Sequence, residues 1–221
     1  MPTFPILYGA PLSPFVRKVA IVLEEKNISF KWKPLPPRNN DPDFMRISPL
    51  GKIPAYKDKL HEMADSSVIC QYLEKAYPSP ALYPSDSGQF ARCLWFEEYF
   101  DSGMIKPLQI IYFEGYFNPR YRGRSTDDEK LAQAYLDAVP YLTYLEGQIE
   151  PNRWLAGDMF SLADISVTVA FDNLFLDEMQ LGLQDYPKLS AHIEKVYARP
   201  SVQKASTFMR EFLAQLPAKP A

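Results

Sequence analysis

Three short stretches carry residue types whose spacing could do chemistry. Ser13-Pro14-Phe15 follows an apolar run, with Pro14 suited to the first position of a helix and Ser13 to the cap just outside it. A hydroxyl held there lies at the positive end of a helix dipole. A thiol of ordinary pKa, about 8.5, placed beside it would be pushed toward thiolate. The plainer use of such a serine is capping alone, and the residues by themselves leave both uses open. Gly51-Lys52-Ile53-Pro54 is the second stretch. A proline leading into a strand cannot donate to the sheet ladder, so it belongs at an edge or a turn. Were the Ile53–Pro54 bond cis, the Ile53 backbone would face outward, ready to pair with an extended peptide. Asp65-Ser66-Ser67 is the third, a helix start whose N–H groups suit a carboxylate while the Asp65 side chain suits an ammonium. An α-amino acid head group offers both charges at once; the alternative is that Asp65 serves only as an N-cap.

Positioning these stretches calls for a small mixed α/β unit. Residues 4–8 read as a buried strand ended by Gly9, and 29–33 as a second strand with Phe30 and Trp32 on one side. Between them, 15–26 reads as a helix with Phe15, Val19, Val22, Leu23 and Lys26 near one face and charges elsewhere. Short strands at 55–57 and 60–63 form a hairpin, and a helix over 66–77 closes the unit. The order is strand, helix, strand, short helix, strand, strand, helix. Pro78, Pro80 and Pro84 then make a semi-rigid linker. From Asp86 onward only helical periods occur, near 86–117, 126–147, 161–177, 186–198 and 201–214, with Pro107 kinking the first. That first helix carries Met104, Leu108, Ile111, Tyr112, Phe113, Tyr116 and Phe117, too many to share one face, so some line an open apolar cleft. Arg120, Arg122 and Arg124, which follow, read as a solvated loop.

The 221 residues, 47% apolar and 23% charged, have the composition of an ordinary globular chain with room for two modest domains. A net charge of −3 makes no field that would gather nucleic acid or an anionic membrane. Cys70 and Cys93 are too few and too scattered for a disulfide framework, and with only His61 and His192 besides, a nitrogen–sulfur metal cluster is disfavoured. The start, MPTFPILYGAPLSP, lacks a basic region and is broken by Pro5, Gly9 and Pro11, unlike a signal peptide. No apolar run approaches the ~18 residues of a spanning helix. A reducing cytoplasm is the expected compartment.

Taken in order, SPFVRKV (13–19), SPLGKIP (48–54), DSSVICQYLE (65–74) and FSLADISV (160–167) resemble the motifs of the cytosolic glutathione transferase superfamily, in its serine-type, bacterial/tau/theta-like branch. The resemblance implies an α/β thioredoxin-like N-terminal domain over 1–78 that binds glutathione. It implies an all-α C-terminal domain over 86–216 that forms the electrophile pocket. The implied protein is an enzyme conjugating the glutathione thiolate to small apolar electrophiles. Glutathione is its co-substrate; it has no metal, is a cytoplasmic homodimer, and has neither nucleic acid nor membrane as a partner. Carried over by position, Ser13 is the hydroxyl that bonds the glutathione sulfur, and Ile53 offers its backbone to the cysteinyl residue beside a cis Pro54. Asp65 and Ser66 hold the γ-glutamyl head, Lys52 lies close to the peptide, and Arg38, Asn39 or Asn40 stands near the glycine carboxylate. Leu12, Met104, Leu108 and Tyr112 are the implied electrophile-pocket residues. Ser161 and Asp164 make the family's capping box, with Phe160 and Ile165 at staple positions. Tyr8, a tyrosine other classes might use catalytically, reads here as a packing residue. The alternative function is a binding module: the same fold used as a carrier, or as a regulatory docking partner of the stringent-starvation type, with little conjugating activity.

Overall fold

The structure, a computed structural model, describes residues 4–174 and 181–218. The chain divides into two compact units, residues 1–83 with 200–212 and residues 84–199 with 213–221.

In the first unit, four three-residue strands, β1 (Ile6–Tyr8), β2 (Lys31–Lys33), β3 (Ala55–Lys57) and β4 (Glu62–Ala64), form one sheet in the order β2-β1-β3-β4. β1 runs parallel to β2 and antiparallel to β3, and the β3–β4 hairpin is antiparallel. Because side chains alternate across a pleat, Tyr8 and its partner Ala55 face one way, into a cluster with Leu35 and with Phe44 and Ile47 of α2 (Pro42–Ile47). Leu7 and its partner Tyr56 face the other way, where Tyr56 meets Tyr72 of α3 (Ser66–Ala76) at 6.1 Å between rings. The remaining helix of this half, α1 (Pro14–Glu25), packs on β1 and α3.

α1 departs from the expected one-sided pattern. Arg17 and Lys18 are fully buried, and Lys26 just beyond the helix is nearly so. Each cation has partners within the protein, those of Arg17 and Lys26 lying outside α1. Arg17 Nη1 donates to the Pro11 carbonyl at 2.7 Å, and Lys18 Nζ lies 6.0 Å from the Phe15 ring centre. Lys26 Nζ donates to the carbonyls of Tyr77 (2.7 Å) and Pro80 (2.9 Å) and pairs with Glu74 at 2.8 Å. Glu74 in turn accepts from the N–H groups of Leu82 and Tyr83, so one buried ion pair pins the proline-rich stretch.

The last helix, α10 (Pro200–Ala214), was grouped by sequence with the helical half, yet residues 200–212 join the first unit. Lys204 pairs with Glu24 at 2.8 Å, the Ser201 hydroxyl bonds Glu25, and Phe208 stacks on Trp32 of β2.

The second unit is helical. A continuous helical run over 87–122 comprises α4 (Ser87–Glu98), a π-helical stretch (Tyr99–Met104), α5 (Ile105–Tyr112) and a second π-helical stretch (Phe113–Arg122). Pro107 lacks the N–H that would close onto residue 103, and the helix widens immediately before it. Gly103 sits in that widened turn because a Cβ there would lie 2.9 Å from the Tyr141 ring of α6 (Asp128–Gln148). The expected 161–177 helix is α7 (Leu162–Thr168) and α8 (Phe171–Leu174), its remainder lying outside the described residues, and α9 (Pro187–Tyr197) follows. The Ser161–Asp164 capping box is formed. Arg120 and Arg122 are not a solvated loop. They belong to the second wide stretch, with Arg120 over the Tyr116 ring at 4.5 Å and Arg122 over Phe113 and Phe117 at 5.3 and 5.2 Å.

Candidate active site

The strand register decides which loops meet. Tyr8, Lys33, Ala55 and Ala64 are aligned across the sheet, so four segments leave from the same sheet end. These are Gly9–Ser13 after β1, the 34–40 segment after β2, Lys52–Pro54 before β3, and Asp65–Ser66 after β4. The three chemical stretches picked out by residue type are therefore neighbours, all in the first unit.

Ser13 occupies the N-cap position of α1 but makes no side-chain cap bond, and it is half-buried. Of the two uses left open for this hydroxyl, capping is the one it does not perform. Its loop is tied at several points. The Ser13 N–H donates to the Ala10 carbonyl at 3.0 Å, Arg17 holds the Pro11 carbonyl, and the Trp32 indole N–H donates to the Gly9 carbonyl at 2.9 Å. Gly9 has φ of +140°, and a Cβ there would stand 2.5 Å from Val16 and 3.1 Å from the Ile53 Cβ. Only glycine lets the loop approach α1 and the Ile53 stretch this closely.

The Ile53–Pro54 bond is cis. Pro54 is buried at the head of β3, Ile53 is half-buried and Lys52 is exposed. The turn before them is set by Ser48, whose hydroxyl donates to the Lys52 carbonyl at 2.7 Å, and by Gly51 at φ +65°, whose carbonyl accepts from the Arg38 N–H at 2.7 Å. That bond places the Arg38 segment against the Gly51–Lys52 turn, while the Asn39 side chain is turned to the Asp41 N–H.

Asp65 lies next to Pro54 across the hairpin, its N–H directed at the Pro54 carbonyl at 3.3 Å. Its exposed carboxylate caps α3, with Oδ1 accepting from the N–H groups of Ser67 (2.9 Å) and Val68 (3.2 Å). Asp65 has φ of +82°. Ser66, at the first helical position, is buried. Capping by Asp65 and exposure of an acidic group at a helix start thus coexist in one residue.

Tyr8 is buried in the sheet core, and burial raises its hydroxyl pKa above the ordinary tyrosine value, so it packs as expected. Beside it, the hydrogen bond from Lys33 to Asp41 at 2.7 Å raises the lysine pKa and lowers that of the carboxylate. Of the expected electrophile-pocket residues, Leu12 is half-buried in the Ser13 loop. Met104, Leu108 and Tyr112 are buried side chains of the helical unit, where Phe113 and Phe117 are the half-buried members of the same run. A polar depression of about 320 Å³ in the second unit, lined by Arg92, Gln148, Trp154 and neighbours, contains none of these residues. Among the described residues, no cluster of three or more His, Cys, Asp or Glu side chains could hold a metal ion, and no helix is long and apolar enough to cross a membrane.

Sequence reasoning missed Arg17, Trp32 and Ser48 as organisers of this site. Arg17 lies inside the SPFVRKV motif, the one signal available beforehand. Trp32 and Ser48 act on backbone carbonyls distant in sequence or hidden in a turn, which no periodicity reveals.

A sheet of this order, with a cis-proline at the head of β3, defines a thioredoxin-like unit, joined here to an all-helical one. The family model described as "Glutathione S-transferase, N-terminal domain" matches residues 7–81, and that described as "Glutathione S-transferase, C-terminal domain" matches residues 114–205. A glutathione S-transferase of Triticum aestivum is 31% identical over 207 residues, covering 91% of this chain and 92% of its own. One of Hyoscyamus muticus is 28% identical over 206 residues, covering 90% and 96%. The solved structure of glutathione S-transferase I bound with lactoylglutathione superposes with a TM-score of 0.84 at 25% identity, covering 94% of this chain and all of the other. That of glutathione S-transferase III in apo form gives 0.81 at 27%, covering 99% and 100%. The chain belongs to the glutathione S-transferase family. Its enzyme class is glutathione transferase, and glutathione is its co-substrate.

Proposed function

We propose that the Ser13 hydroxyl donates a hydrogen bond to the glutathione sulfur and so holds it as thiolate. The observation that carries this role is a hydroxyl at the N-terminus of α1 that leaves the helix N–H groups alone. A charge-assisted bond to S⁻, together with the positive end of the helix, favours the ionised thiol over the neutral one. The thiol proton leaves to solvent on binding, so no general base is required for attack. The sulfur then attacks the electrophilic carbon; a C–S bond forms, and a leaving group departs with its electron pair or an activated double bond takes up a proton.

The rest of the peptide follows from the sheet end. The Ile53 backbone, turned outward beside cis Pro54, pairs with the cysteinyl residue as an added strand. The Asp65 carboxylate takes the γ-glutamyl ammonium, and the α3 start at Ser66 takes its carboxylate. Lys52 and Arg38, joined through the Arg38–Gly51 bond, supply positive charge for the glycine carboxylate. For the electrophile we propose small apolar molecules, met by Leu12 next to Ser13 and by Met104, Leu108 and Tyr112 in the helical unit. The domains proposed for these tasks remain 1–78 and 86–216, with α10 contributing to the first unit. We further propose a cytoplasmic homodimer. The two buried free cysteines suit a reducing compartment, and sedimentation tests the dimer.

Ser13→Ala tests the central role. The bound thiol pKa, read by ultraviolet titration of the thiolate, should rise by roughly one to two units and turnover at neutral pH should fall about tenfold or more. Stability should hardly change, since no cap bond is lost. An unchanged pKa would remove Ser13 from the mechanism. Tight glutathione binding without turnover across a panel of electrophiles would favour the carrier reading instead.

A further inference from the structure

We propose that Trp32 is a positioning residue for the thiolate-stabilising loop and that the C-terminal helix acts through it. This rests on the reading of Gly9–Ser13 as that loop. The indole N–H of Trp32 donates to the Gly9 carbonyl at 2.9 Å, the first carbonyl after β1. The Gly9 N–H is held by the Lys33 carbonyl at 3.1 Å, so both polar groups of this glycine are fixed by β2 and its side chain. From Gly9 the loop is short and closed. The carbonyl of the next peptide, that of Ala10, accepts from the Ser13 N–H at 3.0 Å, so the Gly9–Ala10 peptide is coupled to Ser13 through the single residue Ala10. Glycine at φ +140° has the widest backbone freedom of any residue, and it stands where the loop leaves the sheet. An external tie on its carbonyl is what removes that freedom.

The indole is itself held from outside. Its ring stacks on Phe208 of α10 with centroids 4.5 Å apart and planes within 5°. Phe30 lies against it at 6.1 Å. Phe208 is carried on a helix fastened to the end of α1 by the Lys204–Glu24 pair at 2.8 Å and the Ser201–Glu25 bond. A physical line therefore runs from α10 through a parallel ring stack and one hydrogen bond to the peptide that aims Ser13. A tryptophan N–H only donates and the Gly9 carbonyl only accepts, so the bond has one polarity and one geometry. A hydrogen bond to a thiolate weakens steeply as the donor moves by tenths of an ångström, so loss of this tie reaches the thiol pKa without touching the sulfur.

The test uses Trp32→Phe, which keeps a stackable ring and removes the N–H, and Phe208→Leu, which keeps the N–H and removes the stack. Both are compared with Ser13→Ala and with the Ser13→Ala/Trp32→Phe double variant. The readout is the pKa of the bound glutathione thiol, with glutathione affinity and urea midpoint as controls. The expected result for Trp32→Phe is a rise that cuts the thiolate fraction about three- to tenfold below the pKa, with affinity within about twofold. Phe208→Leu should move it in the same direction by less. In the double variant the two shifts should fall well short of adding, since both act on one bond. A Trp32→Phe protein that loses stability but keeps the wild-type thiol pKa overturns the proposal and leaves the Ser13 role intact. If Ser13→Ala is silent while Trp32→Phe shifts the pKa, the positioning role stands and another loop group is the donor. If both are silent, both readings fall.

Discussion

Asp164 is fully buried at the start of α7, and its replacement by alanine measures how much a capping motif becomes when tertiary partners gather on it. As a local capping box, losing it should cost about 0.5–2 kcal/mol. The structure adds to the motif's own bonds with Ser161 a partner from outside it, Leu155. Oδ2 accepts from the Ser161 N–H at 2.8 Å and the Ser161 hydroxyl at 3.0 Å, while Oδ1 accepts from the Leu155 N–H at 2.9 Å. His192 Nε2 of α9 lies 3.2 Å from the same Oδ1. Alanine would leave the Leu155 N–H buried without this acceptor, at about 1–3 kcal/mol. Allowing for partial relaxation, the total expected for Asp164→Ala is roughly 2–4 kcal/mol, and Asp164→Asn, which keeps the shape and one acceptor, should cost about half as much. Urea denaturation followed by circular dichroism and by tryptophan fluorescence gives the loss, with agreement of the two probes testing for a single transition. Calorimetric glutathione affinity of the folded variant should stay near wild type, because every proposed glutathione contact lies in the other unit. A loss no greater than about 1 kcal/mol would mean that Asp164 is a cap alone and that the bond from Leu155 carries little.

Asp65→Ala should weaken glutathione binding by about 1.5–3 kcal/mol and, because its Oδ1 caps α3, also lower stability by about 1 kcal/mol; unchanged calorimetric affinity in a folded variant would move the γ-glutamyl site elsewhere. Glu62, pulled down to about 2 chiefly by its hydrogen bonds with Arg46 and then Lys57, has a folded pKa below its ordinary value near 4.5. Its contribution is therefore present above pH ~4.5 and lost as pH falls toward 2, so urea midpoints of wild type and Glu62→Gln should converge over that window. The group is solvent-exposed, and salt should shrink the difference; a gap that persists at low pH would refute the pairing. Burial pushes the Cys93 thiol up to about 12, so it should resist iodoacetamide in the native protein and react on unfolding, as mass spectrometry would read.

The element order of the first unit and the three chemical stretches themselves were legible because their signals are local, while the strand register that makes the stretches neighbours was not. Pro14 and Pro54 restrict their own backbones, Gly9 and Gly51 stand where positive φ is required, and Asp65 and Asp164 lie at helix starts. The four motifs in their order carried the family for the same reason: each is a short run whose backbone shape follows from its own residues. What the sequence left open was settled by groups far apart along the chain. Nothing in the periodicity of α1 says that Arg17 will be buried, and although it sets Lys26 on the apolar face it does not name the Tyr77 and Pro80 carbonyls that only folding brings within reach. An amphipathic helix needs an apolar surface but does not name one, so the attachment of α10 to Trp32 and α1 was undecided until the tertiary structure supplied the ring stack and the Glu24 pair. The capping use of Ser13 had the same character: the residue type allows it, and only the folded loop shows that the hydroxyl makes no cap bond to α1.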